Sequence, residues 1–207
     1  MKKLFSLLIL VLMLPLQACA QEMYKEGEHF EVINDKATDK AEVLEFFSFW
    51  CPHCHAFEPL VAQMKQKLDK DVSFEKVHVN FMNFAKTETQ DEATKAMMVG
   101  RALKREDALN KAIFNYIHVQ RSPVTSLKDL ENIFIINGVD SGEFEKLASS
   151  FGVNSMVSKN NKAIEQYRSH LTGVPTFIVN GKYKAKFTRE MGPDDMVDLI
   201  VWLSKQK

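Results

Sequence analysis

Cysteine is scarce in this chain, with only Cys19, Cys51 and Cys54 among 207 residues. No second close-spaced pair accompanies Cys51 and Cys54, which weakens any reading as a zinc site with four N/S ligands. Net charge is also lacking, because 27 Lys and Arg balance 27 Asp and Glu. No Lys/Arg block is interleaved with aromatics, so the sequence offers no basic field for nucleic acid. Internal repeats and low-complexity segments are absent. The apolar run at residues 4–14 is shorter than the roughly 20 residues that span a bilayer. What remains is ordinary globular composition, 45% apolar and 26% charged. That is enough chain for one sizeable core and an inserted lobe.

The first 21 residues read M-K-K-L-F-S-L-L-I-L-V-L-M-L-P-L-Q-A-C-A-Q. Two lysines, an apolar stretch and small residues in that order form a secretory signal. Two processing routes are open. Ala18-Cys19-Ala20 fits an A-x-A site, with a soluble mature chain starting at Gln21. Leu16-Gln17-Ala18-Cys19 also resembles a bacterial lipobox, which would make Cys19 a lipidated first residue, although Gln17 is unusual there. The leader takes Lys2 and Lys3 with it and leaves a slight excess of acid. Export places the remaining cysteines where disulfides persist.

Residues 46–59 read F-F-S-F-W-C-P-H-C-H-A-F-E-P. Cys51 and Cys54 make C-x-x-C, and His55 extends it to C-x-x-C-H. The first spacing indicates a dithiol redox site, the second a c-type haem attachment. Haem would need a second axial ligand and a haem-wrapping shell, and the surroundings alternate α and β instead. Zinc would need His53, His55 or His78 to converge by tertiary accident. A lone C-x-x-C also closes too small a loop to be a useful staple.

The flanking pattern supports the dithiol. Residues 29–33 suit a first strand, and residues 43–49 (V-L-E-F-F-S-F) a strand buried on both faces. Pro52 suits the first turn of a helix running to about residue 70, which Pro59 should bend. Residues 72–79 return to strand. Residues 87–171 then show helical periodicity at Phe114, Ile117, Val119, Leu127, Leu130, Ile133, Phe134, Phe144, Leu147 and Phe151. Breaks are expected at Ser122-Pro123, Asn137-Gly138 and Gly152, with Asp140 or Ser141 as a cap. Four or five helices result. Residues 175–187 form a hairpin around Asn180-Gly181, and Gly192-Pro193-Asp194 opens a last helix with Met196, Leu199, Ile200 and Leu203 inward.

Thiolate is the reactive form of cysteine, and a helix N-terminus lowers a thiol pKa. The macrodipole contributes about 0.3–1 kcal/mol, up to about 2 in favourable geometry. At about 1.4 kcal/mol per unit, that supplies at most about one and a half pKa units. An imidazolium at His53, between the sulfurs, should add to it. Stabilising the thiolate stabilises the dithiol and raises the reduction potential, by about 30 mV for about 1.4 kcal/mol.

At V-L-E-F-F-S-F-W-C-P-H-C, K-V-H-V-N-F-M (76–82), G-V-P-T-F and V-N-G-K-Y (173–183), the chain resembles the DsbA family of periplasmic thiol:disulfide interchange proteins. The likeness covers nearly all of the mature chain, and the P-H dipeptide is quite specific within the thioredoxin superfamily. It implies an α/β thioredoxin-like fold (21–86 and 172–207) with an inserted all-helical domain (87–171) after a signal peptide (1–20). It implies that Cys51 exchanges with substrate, that Cys54 resolves, and that Pro52 and His53 tune the pair. It implies a cis-proline loop at Val174-Pro175 that faces the disulfide and binds substrate backbone. It further implies no cofactor, reduced exported proteins as substrates, reoxidation by a DsbB-type quinone-linked membrane partner, and a monomer. Trp50 before the motif and His55 after it are mild departures.

Glu45 is odd in so apolar a strand. It is either solvated at an edge or buried, with a raised pKa unless paired. Lys76 in the neighbouring apolar strand is a candidate partner, and the family places an acid and a lysine beneath the site at these positions, where they influence proton movement. His29, His118 and His170 read as surface or packing residues, His78 as a satisfied strand histidine, and His55 as a contact residue beside the site. The rival functions are a reductase or isomerase on the same fold, and a redox-inactive peptide-binding chaperone.

Overall fold

The computed structural model describes residues 23–206; the expected leader, including Cys19, lies outside them. Five strands form one sheet in the order β1-β5-β4-β2-β3. They are β1 (Phe30–Val32), β2 (Glu42–Phe47), β3 (Ser73–His78), β4 (Thr176–Val179) and β5 (Tyr183–Ala185). Only β2 and β3 are parallel, joined through helix α1 (Pro52–Lys67); the other neighbours are antiparallel. A parallel pair requires such a crossover, and β2 is buried from Val43 to Phe47 because both sheet faces are covered.

On one face α1 and α7 (Pro193–Ser204) pack over Val43, Phe177 and Val179. On the other, Leu44, Phe46 and Ile178 meet Ile164, Tyr167 and Leu171. Helices α2 (Thr87–Ala102), α3 (Glu106–Phe114), α4 (Leu127–Ile136), α5 (Ser141–Ala148) and α6 (Phe151–Tyr167) lie between β3 and β4. A π-helical turn (Asn115–Val119) follows α3. Their core continues into the sheet through Phe47, Phe49, Cys51 and Cys54. The redox motif therefore sits at the seam between the sheet and the helical lobe.

The hairpin turn is built as the Asn-Gly signal requires. Asn180 and Gly181 both take positive φ, 52° and 62°, and Lys182 N–H closes the turn onto the Val179 carbonyl at 3.1 Å. Asn180 does more than turn. Its amide donates to the carbonyls of Ser204 and Gln206 at 3.1 and 2.7 Å, and its Oδ1 accepts from Glu42 N–H at 3.0 Å. One buried side chain thus satisfies the frayed end of α7 and the start of β2.

Three expectations need correction. Gly152 does not separate helices: it lies in the first turn of α6, whose cap is Ser150, accepting from Val153 N–H at 3.2 Å. Phe151 and Val119 are not core residues but 89% and 66% exposed. Periodicity counted across the ends of α5 and α3 loses phase, so residues beyond a break no longer report the buried face. Met196 is only half-buried, and Val197 takes the inward place beside Leu199, Ile200 and Leu203. Of the two residues expected to cap α5, Asp140 does so, and Pro59 lies inside α1 as expected.

Replacing Asn180 with alanine strands buried carbonyls and an N–H and places a Cβ residue at positive φ, so it should destabilise the fold by about 2–3 kcal/mol. Chemical denaturation at fixed redox state measures this. Asn180→Gly relieves the backbone but not the lost bonds, and should recover only a minor part.

Candidate active site

Strand β2 ends at Phe47, and four residues later Cys51 is the N-cap of α1. Cap backbone there is extended, with φ −87° and ψ 114°. A cap normally offers a side-chain oxygen to the first free N–H groups; here sulfur takes that place. Cys54 N–H donates to Cys51 Sγ at 3.3 Å. Both cysteines are free thiols in this structure. Cys51 is 3% exposed and Cys54 not at all, so burial alone hardly distinguishes them.

Hydrogen bonding separates the two sulfurs. The Cys51 thiol is pulled from 9.0 to about 6, first by the hydrogen bond from the Cys54 thiol. Burial opposes this, and the backbone N–H groups of Cys54 and His53 assist. The charge of His53 comes last among these influences, since its ring stands exposed to solvent that screens it. The imidazolium expected to add to the helix start is thus a minor contributor, behind the Cys54 thiol and the backbone N–H groups. Cys54 is pushed far upward, by burial first and then by its partner Cys51, with Glu45 adding to the repulsion.

The Val174-Pro175 peptide is cis. The Cys51 thiol donates to the Val174 carbonyl at 3.4 Å, and Thr176 Oγ1 donates to the Gly173 carbonyl at 2.7 Å, holding this loop in place. Pro52 is the first residue of α1, where its missing N–H is not needed.

Beneath Cys54 lies a buried ionic group. The parallel register sets Glu45 opposite Lys76, and Lys76 Nζ reaches Glu45 Oε2 at 2.7 Å and Glu58 Oε1 at 2.6 Å. Glu45 is wholly buried, Lys76 nearly so, and Glu58 is one-quarter exposed. The ammonium also lies 4.4 Å from the centre of the Phe47 ring. Two carboxylates share one cation. Burial raises the Glu45 carboxyl; Lys76 offsets part of that rise and Glu58 adds to it. Burial disfavours the Lys76 ammonium, but the two carboxylates outweigh it and hold the lysine above its usual range. Glu45 Oε1 has no hydrogen-bond partner among the described residues. The edge-facing alternative for Glu45 is excluded.

A scan of family models matches residues 42–200 to the DSBA-like thioredoxin domain. The chain belongs to the DSBA-like thioredoxin domain family. It is 36% identical over 163 residues to the thiol:disulfide interchange protein DsbA of Haemophilus influenzae, covering 77% of this chain and 76% of that one. It is 34% identical to the DsbA of Escherichia coli K12, covering 89% and 86%. Among solved structures, the disulfide oxidoreductase DsbA from Proteus mirabilis superposes with a TM-score of 0.77 at 28% identity, over 88% of this chain and 98% of that one. The α/β thioredoxin fold with a helical insertion is therefore that of the DSBA-like family.

Within this DSBA-like site, Cys51, Pro52, His53 and Cys54 lie on the first turn of α1, with Val174 and Pro175 against Cys51 and Glu45 and Lys76 underneath. Two participants escaped the sequence reading. Glu58 lies one helical turn beyond Cys54, and that four-residue spacing on α1 was the available signal. His118, expected as a surface or packing residue, packs at the site: its Nε2 lies 2.8 Å from the Phe49 carbonyl, and its ring stacks on His55 at 5.0 Å. Nothing in local sequence connects the π-helical turn to residue 55. His78 is buried, with Nδ1 2.9 Å from Thr94 Oγ1 and no hydrogen-bond partner for Nε2 among the described residues. Burial drives it down to about 3, so it stays neutral.

Two outcomes follow for the thiols. Removing the Cys54 donor with Cys54→Ala should raise the Cys51 pKa by about one unit or more, whereas Cys54→Ser, which keeps an O–H donor, should hold it low. His53→Gln should raise it less than Cys54→Ala does. Ultraviolet absorbance of the thiolate against pH reads all three. Because the folded Cys51 pKa is lowered, the stability it contributes is lost as pH falls through about 6 and is complete above the unfolded value of 9.0. Unfolding of reduced protein, compared with oxidised protein, should therefore show growing relative stability of the reduced form from about pH 6 toward 9. Above that the gain is offset, as Cys54 ionises only in the unfolded chain.

Proposed function

We propose that this chain is a protein disulfide oxidoreductase that donates a Cys51–Cys54 disulfide to reduced, newly exported proteins. The observation carrying this reading is the asymmetry of the two sulfurs, one held near pKa 6 at a helix start and the other driven far upward in the core. A substrate thiolate attacks Cys51 Sγ. The Cys51–Cys54 bond breaks and its electron pair leaves on Cys54. A thiolate there is strongly disfavoured, so Cys54 needs a proton at once. Glu45 takes part in that transfer: burial raises its carboxyl, and it lies within electrostatic reach of Cys54. Lys76 and Glu58 hold Glu45 in place. A second substrate thiolate then attacks the substrate sulfur of the mixed disulfide. Cys51 departs as the stable thiolate, leaving substrate disulfide and enzyme dithiol.

His53 and Pro52 adjust this centre from the first turn of α1. The Val174-Pro175 loop presents backbone beside Cys51, where an extended substrate segment is held. A relative supports this: the Proteus mirabilis DsbA, 27% identical, is known in complex with a non-covalently bound peptide, PWATCDS. Reoxidation falls to a DsbB-type membrane partner linked to quinone, so no bound cofactor takes part. The leader and the relatives favour the periplasm. Among the described residues no helix is long and apolar enough to cross a membrane, and lipid attachment at Cys19 is the alternative mode of retention.

Oxidised enzyme should oxidise a reduced test protein, and Cys51→Ser should abolish this. The redox equilibrium with glutathione should show a potential more oxidising than a thioredoxin's; a thioredoxin-like potential would overturn the oxidase reading. Glu45→Gln should slow mixed-disulfide formation about tenfold or more in rapid acid-quench experiments while leaving the Cys51 titration nearly unchanged.

A further inference from the structure

Beside Trp50, on the helical-lobe side of Cys51, lies a cleft of about 570 Å³ that the exchange chemistry does not use. Its apolar lining includes Trp50, Phe84, Ile117 and Val124, and its two charged residues, Lys86 and Arg121, are both cationic. Neither cation is engaged in an ion pair among the described residues, and both are exposed. The volume suits two or three side chains.

Both walls are held open by specific bonds. On one side Gln90 is buried, and its amide donates to the carbonyls of Met82 and Ala85, each at 2.8 Å. Between those anchors Phe84 is turned outward and left 53% exposed. The opposite wall starts with the π-helical turn bearing Ile117 and continues through Arg121, a non-glycine residue at φ +55°. Ser122 N–H closes that bend onto the Tyr116 carbonyl at 3.0 Å. Such π turns and left-handed residues carry a conformational cost and recur at functional sites. Thr89 Oγ1 donates to the Thr125 carbonyl at 3.3 Å and ties the walls together.

We infer that this cleft is a specificity subsite, taking an apolar side chain with a neighbouring acidic residue from the polypeptide whose cysteine is exchanging at Cys51. The inference rests on the proposed oxidase activity and names the substrate segment it selects. Continuity with Trp50 places the occupant on the same chain as the reacting thiol. Unfolded proteins expose the apolar residues a cleft of this kind needs. Two cations with no acid in the lining select carboxylate, against the slight acidic excess of the mature chain. Preference for acidic peptides would therefore be local in origin.

Oxidised enzyme is mixed with excess of three thiols, and acid quench with mass spectrometry follows loss of its disulfide. The thiols are the blocked peptide Asp-Leu-Gly-Cys-Gly-Leu-Asp, the blocked peptide Lys-Ser-Gly-Cys-Gly-Ser-Lys, and 2-mercaptoethanol, which is too small to reach the cleft. The acidic-apolar peptide should react about tenfold faster than the basic one. Phe84→Ala should lower its rate about fivefold and leave 2-mercaptoethanol unchanged. The double variant Lys86→Glu, Arg121→Glu should reverse the order of the peptides. Equal peptide rates in the wild type, or rates indifferent to both variants, would overturn the subsite while leaving the oxidase reading intact. Failure of all three thiols to reduce the disulfide would overturn both.

Discussion

The structure depends on a sulfur capping a helix. Where β2 gives way to α1, the free N–H groups of the first turn need an acceptor, and the side chain placed there is Cys51. The same bonds that satisfy the helix start stabilise the thiolate, so folding and reactivity share one set of contacts. Strand β2 must be buried on both faces for this to work, because the sheet fixes where α1 begins. The wholly buried Phe46, Phe47 and Phe49 supply that rigidity. An exposed or wandering helix start would leave the sulfur solvated, near its ordinary pKa.

The second constraint is the burial of ionisable groups under Cys54. Glu45, Lys76 and Glu58 share two close contacts around one ammonium, in a place where unpaired charge would be severely disfavoured. Such a group is weak evidence for stability. Its consequence here is chemical: a carboxyl raised by burial sits within electrostatic reach of a thiol raised by burial. Burial thus makes Cys54 and Glu45 weaker acids, while hydrogen bonds acting against burial make Cys51 a stronger one.

A third element is the seam itself. Phe49, Cys51 and Cys54 belong to the core of the helical lobe, and Trp50 packs against it, although all follow a sheet strand. His118 and His55 stack across that seam, and the cleft beside Trp50 opens along it. Chemistry located at a boundary between two packed units has loops from both available to meet a substrate.

Much of this was written in local sequence. The C-P-H-C motif after an apolar strand, Pro52 at a helix start, Asn180-Gly181 in a hairpin and the apolar periodicity of the insert each reflect backbone rules acting over a few residues. They determined the order of elements, the reactive pair and, through resemblance, the family. The weak share of His53, the joining of Glu58 to Glu45 and Lys76, the contact of His118 with Phe49 and the outward turn of Phe151 were decided by tertiary structure alone. Electrostatic shifts depend on burial and on charges brought from distant positions, and neither has a period or a spacing along the chain.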